Sequence, residues 1–299
     1  MRRVFKWLGI LLVALIGIVL VAALMGAIIS NRRIAKTYTI ADEALTLPTD
    51  AAGLAEGQRL VTMRGCSDCH TPDFGGQTFI DDPMIGVIAT ANLTGGQGSA
   101  TAGYTVADWE QAIRHGVNPD GRGLLIMPSY EYAGLSDEQV AQMIAYLQTL
   151  PPVDRVPAEP ALKPLARALF LAGQLPLLPA EMIDHSVAHA ATVPVAASAE
   201  YGAYLSTTCT GCHQPNLAGG VVPGSAPGAL PSANLTPAGN LAHWSLDDFK
   251  NTLRSGTTPE GKELDPAVMP WPIAAQMTDV ELEALWLYFQ SLPPVTTEQ

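Results

Sequence analysis

Two copies of one short motif constrain this chain more than any other feature of its sequence. The first copy carries Cys66, Cys69 and His70, and the second carries Cys209, Cys212 and His213. A Cys-x-x-Cys-His run is the attachment signature of c-type haem. Two thiols three residues apart lie on one turn of a helix, where each can form a thioether to the same porphyrin edge. The histidine that follows then lies under the iron.

A Cys-x-x-Cys pair also occurs in redox disulfides and in zinc sites. A thioredoxin-like motif follows a strand in a βαβ pattern, and a zinc site of four cysteines needs its two pairs close together in sequence or space. The two pairs here lie 143 positions apart, each has its own histidine, and together they use all four cysteines. We therefore expect two covalently bound haem c groups and no disulfide.

The composition fits a two-domain protein with an acidic surface. The 299 residues suffice for two domains of ordinary size, and only 6% of them are aromatic, so a haem in each half would supply part of the apolar filling. The net charge is −12, but the first 36 residues hold six cations and no acid, which leaves −18 for the remainder. Such a surface repels nucleic acid and attracts a basic docking face on a protein partner. Alternatively, the acidic residues only confer solubility.

Residues 8–29 form an uncharged, apolar run of 22 residues. As a helix it spans about 33 Å, enough to cross a bilayer core of about 30 Å. The alternative is a secretory signal cleaved near residues 27–30, although the apolar region of such a signal is usually only about 7–15 residues long. We expect an uncleaved, single-pass anchor in the cytoplasmic membrane. Three cations flank each side, so the haem motifs decide the orientation, with the haem domains on the periplasmic side.

The two halves of the chain repeat each other beyond the haem motifs. A helix is predicted before each motif, over residues 55–63 and 200–207, and Gly57 and Gly202 match at positions where another helix can cross closely. A Gly-Gly pair follows each motif, at residues 75–76 and 219–220, and an Asn-Leu-Thr triplet comes next, at residues 92–94 and 234–236. The triplets fit the glycosylation sequon. Their equivalent positions favour a structural role in a pocket wall instead.

Each half continues with two capped helices and a Met-Pro pair between them. Thr105 and Ser245 are predicted N-caps, and Ser136 and Thr278 open capping boxes before amphipathic helices that end at Leu-Pro-Pro-Val. Met127 and Met269, each followed by proline, lie 57 and 56 residues after the haem histidines. This near-equal spacing indicates that the two methionines have the same role in the two halves.

Residues 154–198, between the repeats, are rich in proline and alanine. Their apolar stretch, residues 165–178, is too short to span a membrane. We expect a short helix over the seam between the two domains, with docking to the membrane surface or to a partner subunit as the alternative. His185 and His189 are a less favoured candidate pair for a metal or a haem. Arg114 and Arg254 either pair with haem propionates or lie on helix surfaces.

Together these motifs resemble class I cytochrome c domains in tandem, specifically the membrane-anchored cytochrome subunits of bacterial quinohaemoprotein and flavin-dependent dehydrogenases. The resemblance covers residues 50–299. It implies an all-α fold with two tandem cytochrome c domains behind one N-terminal transmembrane helix. The expected boundaries are 1–36 for the anchor, 37–153 for the first domain, 154–198 for the linker and 199–299 for the second domain.

The resemblance also implies the iron ligands. His70 and His213 would be the proximal ligands and Met127 and Met269 the distal ones, with the four cysteines holding the two haems. A thioether sulfur favours ferrous iron and raises the reduction potential, which suits an electron carrier.

We therefore expect an electron-transfer protein that is not itself an enzyme. It would pass single electrons between a dehydrogenase or quinol-oxidising partner and a downstream acceptor, with no small-molecule substrate of its own. One alternative is a cytochrome subunit of a respiratory or photosynthetic complex. Another is a dihaem peroxidase, which needs one haem with an open or displaceable sixth position.

Overall fold

The computed structural model describes residues 2–222, 225 and 228–297, so six residues of the predicted second domain and the first residue of the predicted anchor lie outside it. The α-helices are α1 (Arg2–Ile34), α2 (Ala51–Met63), α3 (Cys66–His70), α4 (Val106–Glu110), α5 (Asp137–Leu147), α6 (Pro164–Leu171), α7 (Ala199–Leu205), α8 (Thr210–His213), α9 (Leu246–Ser255), α10 (Trp271–Ala274) and α11 (Asp279–Ser291). A π-helical turn, Gln111–His115, extends α4, and 3-10 turns span Ser129–Glu131, Pro179–Met182, Ser206–Cys209 and Asn240–His243.

The mostly helical fold with one N-terminal apolar helix confirms the predicted fold class. It also contains a small antiparallel sheet that the sequence analysis did not predict, of strands β1 (Gln77–Asp82), β2 (Gly86–Thr90) and β3 (Ala161–Leu162) in that order. The turn between β1 and β2 is closed by the Asp82 carboxylate, which accepts the N–H groups of Met84 and Ile85 at 2.7 and 2.8 Å. An aspartate that accepts from the next backbone amides is a common turn device.

The helix α1 is long and apolar enough to cross a membrane. Its large apolar side chains from Val4 to Leu24 are exposed. A signal sequence meets the same criteria, so membrane anchoring remains a prediction at this point.

Each half of the chain is built on a crossing of two helices, α2 with α5 and α7 with α11. A Cβ atom at Gly57 would collide with the carbonyl oxygen of Gln142, and one at Gly202 would collide with that of Ala284. The predicted close crossing at both glycines is therefore confirmed. Backbone-to-backbone contact of this kind leaves no room for any side chain.

The predicted helix caps are confirmed, with one informative difference. Reciprocal capping boxes form at Thr105, Ser245 and Thr278. At Ser136 only half of the box forms, because the Gln139 side chain accepts a hydrogen bond from Tyr204 Oη instead, at 2.5 Å. The same Tyr204 oxygen accepts the Ser136 N–H at 2.9 Å, so a side chain from the second half completes a cap in the first.

In an equivalent contact, a side chain of the first half binds at the start of the last helix of the second half. Arg59 on α2 donates two hydrogen bonds to the buried Glu281 carboxylate at the start of α11, at 2.8 and 2.9 Å. Burial opposes the ionisation of Glu281, but the bonds from Arg59 and from the Thr278 N–H outweigh it and lower the pKa of Glu281. The first helix of each half thus caps the last helix of the other half, and one hydrophobic core runs through both.

The segments outside the repeats pack on the first half rather than over the seam. Residues 37–52, at the start of the predicted first domain, lie along its surface, with Tyr38 N–H donating to Gly121 O at 2.8 Å. In the linker, β3 pairs with β2, and α6 packs against the end of α1. The expectation that this helix covers the domain seam is therefore wrong, because its apolar face has a partner in α1 that no repeat pattern indicates.

Replacing Gly202 with alanine is expected to destabilise the protein by about 1–3 kcal/mol, because α7 and α11 must separate to admit the methyl group. Gly134→Ala is the matched control, since a Cβ atom at that position meets nothing within 4 Å. Thermal unfolding followed by far-UV circular dichroism measures the difference. An equal melting temperature for both variants would show that the crossing is looser than described.

Candidate haem sites

Both Cys-x-x-Cys-His motifs fold into a short helical segment that ends abruptly. The residues after the histidines, Thr71 and Gln214, have φ values of 70° and 69°, which end the helix. A hydroxyl group holds the last carbonyls in each copy. Thr90 Oγ1 donates to Cys69 O, and Ser232 Oγ donates to Cys212 O, both at 2.7 Å. The two attachment turns are therefore fixed in the same way.

The histidine rings are oriented by a backbone carbonyl. His70 Nδ1 donates to Ala91 O at 2.8 Å, and His213 Nδ1 donates to Ala233 O at 2.7 Å. Because a carbonyl only accepts, the proton must lie on Nδ1 and the lone pair on Nε2. Burial lowers the pKa of both histidines, which also favours the neutral ring. This tautomer and this outer hydrogen bond are typical of a metal-ligating histidine.

The Asn-Leu-Thr triplets hold those carbonyls in place. In the first half Asn92 Nδ2 donates to Val153 O at 2.8 Å, and Thr94 Oγ1 accepts the Val153 N–H at 2.9 Å. In the second half Asn234 and Thr236 make the same two bonds to Val295, at 2.7 and 3.3 Å. Each triplet ties the end of Leu-Pro-Pro-Val to the wall of its site. Asn92 and Thr94 are buried, which supports the predicted structural role over glycosylation.

The glycines that follow the motifs match at one position only. Gly76 and Gly219 both have positive φ, 73° and 70°, and both donate their N–H to the carbonyl of the haem histidine at 3.0 Å. A Cβ atom at either position would collide with the neighbouring strand-like segment, at Thr90 O or Ser232 O. The Gly-Gly pairs are therefore offset by one residue, and Gly76 is the structural equivalent of Gly219.

The two methionines lie in equivalent turns. Met127 O accepts the Ser129 N–H at 2.7 Å, and Met269 O accepts the Trp271 N–H at 2.6 Å, so a short helix begins directly after each Met-Pro pair. Met127 is half-buried and packs against the joint core. Their assignment as distal ligands remains a prediction.

The two sites meet across the seam between the halves. Glu131, in the short helix after Met127, lies against Gly211 of the second attachment turn, where a Cβ atom would collide with its carboxylate. Ile273, at the equivalent place after Met269, lies against Gly65, with its Cδ1 3.2 Å from the position of a Cβ there. The short helix after each Met-Pro pair thus packs on the attachment turn of the other half.

Comparison with known proteins identifies the family. The family model described as cytochrome c matches residues 54–151 and again residues 199–293. The chain belongs to the cytochrome c family. Cytochrome c domains carry covalently bound haem c, so the four motif cysteines are the expected attachment points, while the count of two haems remains a prediction.

Three curated relatives illustrate the similarity. The cytochrome c subunit of a quinone-dependent alcohol dehydrogenase from Gluconacetobacter polyoxogenes is 28% identical over 86% of this chain and 59% of its own length. A dihaem c-type cytochrome from Cereibacter sphaeroides is 28% identical over 81% of this chain and 86% of its own length. The fructose dehydrogenase cytochrome subunit of Gluconobacter japonicus is 26% identical over 83% and 55%. The chain therefore spans little more than half the length of the dehydrogenase relatives.

One side chain of this cytochrome c indicates how the haem sites are completed. Arg64, two residues before Cys66, is only 5% exposed, yet its three guanidinium nitrogens have no hydrogen-bond partner within residues 2–222, 225 and 228–297. An unpaired buried guanidinium is strongly unfavourable. A haem, which carries two propionates, would add negative charge to this part of the molecule. The residues around the first attachment turn therefore fit an anionic prosthetic group.

Arg64 also acts on both sites. Burial raises the pKa of the Cys66 and Cys209 thiols to about 12, and the positive charge of Arg64 opposes this at both. Burial likewise raises the pKa of Glu131 to about 7, again against the effect of Arg64. Arg64 therefore favours the ionised form of Glu131 at the seam. Sequence reasoning missed Arg64 because its repeat counterpart is the uncharged Thr207.

The arginines and histidines suggested by the sequence have other roles. Arg114 is fully buried and donates to Glu43, Glu110 and Asp137, at 2.6, 3.3 and 2.8 Å, so it is no propionate ligand. Arg254 donates to Ala275 O and Asp279 on the surface of the second half. His185 and His189 lie beside this Arg114 cluster, where His189 Nδ1 contacts Glu43 at 2.8 Å. Through Glu43, the contacts of Arg114 and His189 hold residues 37–52 and the linker against the π-helical turn that follows α4.

Arg64→Gln is expected to lower the reduction potentials of this cytochrome, because a nearby positive charge disfavours ferric iron. A partly screened charge is worth on the order of 1 kcal/mol at this range, which is roughly 40 mV for a one-electron couple. Spectroelectrochemical titration measures both potentials.

The control for this experiment is Arg122→Gln, which removes the same charge from an exposed position. Equal shifts in the two variants would mean that Arg64 acts only through the net charge of the protein.

Proposed function

We propose that this cytochrome c is a membrane-anchored dihaem electron carrier of the periplasmic side. It receives single electrons from a dehydrogenase or quinol-oxidising partner and delivers them to a downstream acceptor. Cys66 and Cys69 hold one haem, and Cys209 and Cys212 hold the other. The iron ligands are His70 with Met127 in the first half, and His213 with Met269 in the second.

The observation that carries the proposal is the equal construction of the two sites. In both, a neutral histidine presents Nε2, a carbonyl fixes the ring through Nδ1, and a Met-Pro turn follows at nearly the same separation. Histidine and methionine on opposite faces leave iron with no open position. A site closed in this way exchanges electrons and binds no substrate, which disfavours a peroxidase.

The names of the relatives support a dehydrogenase as partner. Two of them are cytochrome subunits of alcohol and fructose dehydrogenases, and a third is a dihaem cytochrome. The acidic balance after residue 36, −18, suits a partner with a basic docking face. The alternative function is that of a cytochrome subunit in a respiratory or photosynthetic complex, where the chain would carry out the same electron transfer with different partners.

The joint core supports transfer between the two haems within one chain. Arg59 and Glu281 link the halves in one direction, and Tyr204 and Gln139 link them in the other. Because α2 and α7 each contact the last helix of the opposite half, the halves form one body. An electron that enters at one site can leave at the other without domain motion.

Met127→Ala and Met269→Ala are each expected to convert one of the two haems from low-spin to high-spin and to lower its potential, because the thioether that favours ferrous iron is lost. Each variant should bind carbon monoxide at that haem, whereas the unaltered protein should bind none promptly. Optical spectra of the reduced proteins measure both effects, with pyridine haemochrome analysis giving two haems per chain. Met84→Ala, at an exposed position, is the control.

Prompt carbon monoxide binding by the unaltered protein would falsify the closed-site proposal and favour a peroxidase. Unchanged spectra in one methionine variant would refute that ligand assignment alone.

A further inference from the structure

The end of α1 and the linker helix α6 form a compact pair at the base of the first half. Arg33 on α1 donates three hydrogen bonds to Glu181, at 2.6 to 2.9 Å, and its guanidinium lies 4.2 Å from the centre of the Phe170 ring. Arg167 on α6 donates to Ser30 and Asn31 of α1, at 3.0 and 2.5 Å. The two helices are thus joined by polar contacts just beyond the apolar run of α1.

The contacts one turn further along show the direction of α6. Arg167 lies beside residues 30 and 31 of α1, whereas Leu171, four residues later, has its Cδ1 3.7 Å from where a Cβ of Gly26 would be. As α6 advances by one turn, its neighbour on α1 moves back by one turn. Therefore α6 runs antiparallel to α1 and points toward the middle of the apolar run.

The depth of this contact follows from the sequence of α1. The uncharged run ends at Ile29, and Gly26 lies three residues, about 4.5 Å, inside that end. If residues 8–29 fill the hydrocarbon core, Leu171 lies at the boundary between hydrocarbon and headgroups. The next residues, Ala172, Gly173 and Gln174, are exposed and form the tip of a turn, with Gly173 at φ 72°. We call these three residues the α6 tip.

The surroundings of the α6 tip suit a lipid bilayer. Arg33 is bonded to Glu181, and Arg167 is bonded to the side chains of Ser30 and Asn31. These bonds reduce the desolvation penalty of placing the two arginines near the lipid. Lys163, at the opposite end of α6, and Arg32 and Lys36, after the apolar run, are exposed. These cations lie on the water side of the tip, at the level of anionic headgroups, in a protein that is otherwise acidic.

We propose that the α6 tip is a second membrane contact, which enters the interfacial layer of the bilayer that α1 crosses. This proposal rests on the membrane anchoring in the proposed function. A single helix leaves a domain free to rotate and tilt, whereas a second contact fixes its orientation. The segment that returns from the tip reaches the Met127 turn, because Ile126 N–H donates to Leu177 O at 3.0 Å. The membrane contact therefore fixes the distance between the bilayer surface and the first haem site.

The test uses the full chain with one added cysteine. All four natural cysteines are consumed in thioethers in the haem-loaded protein, so the added thiol is the only free one. The variant is Ala172→Cys, placed in nanodiscs of phosphatidylethanolamine and phosphatidylglycerol, where both faces of the bilayer are open to reagent. Val19→Cys in mid-α1 is the lipid control, and Ala242→Cys, on the exposed 3-10 turn of the second half, is the water control.

The readout is the rate of reaction with a charged, water-soluble maleimide, relative to the same variant unfolded in sodium dodecyl sulfate. Ala172→Cys is expected to react at least about tenfold more slowly than Ala242→Cys, because the reactive thiolate is disfavoured at the lipid boundary. No partner protein is present, so a partner subunit cannot cause the protection.

Two other outcomes overturn the proposal and are distinguishable. If Ala172→Cys reacts as fast as Ala242→Cys while Val19→Cys stays protected, α1 is an anchor but the α6 tip lies in water. If Val19→Cys also reacts as fast as Ala242→Cys, the anchoring itself is wrong, and the α6 tip contact fails with it.

Discussion

Each site depends on one hydrogen bond, from Nδ1 of the haem histidine to a backbone carbonyl. The bond fixes the tautomer, so it decides which nitrogen can bind iron. The carbonyl, at Ala91 or Ala233, belongs to the residue just before an Asn-Leu-Thr triplet, and the triplet is bonded to the last residues of the half, Val153 or Val295. The end of each repeat is thereby connected to the ring that we propose binds the iron. This explains why the repeats agree in motifs that are far apart in sequence.

The contacts between the two halves also lie at the N-termini of helices. A helix N-terminus leaves backbone N–H groups that need partners, and here the first helix of each half supplies a side chain to the opposite cap. The residues differ, Arg59 to Glu281 in one direction and Tyr204 to Gln139 in the other, but the positions are equivalent. A contact that uses a cap is costly to break, because it exposes the cap as well as the interface. The two halves therefore act as one body.

Local signals explain what could be predicted from the sequence. The haem turns, the helix caps and the glycine crossings at Gly57 and Gly202 each follow from a few neighbouring residues, and the repeat shows each of them twice. The sheet was missed because its strands are short and one comes from the linker. The packing of α6 on α1 was missed because it joins segments about 140 residues apart with no repeat counterpart. Arg64 was missed because its environment exists only when both halves are folded.

The repeat is symmetric in its backbone but not in its charges. Two irons with the same ligands differ in potential only through their surroundings. Arg64 precedes the first attachment turn, where its counterpart is Thr207, and Glu131 lies against the second, where the equivalent contact is made by Ile273. The positive charge of Arg64 acts on both sites and raises both potentials, whereas the Glu131 carboxylate lies against the second site and lowers that potential as it ionises. In the proposed dihaem carrier, this difference favours electron flow from the second haem to the first.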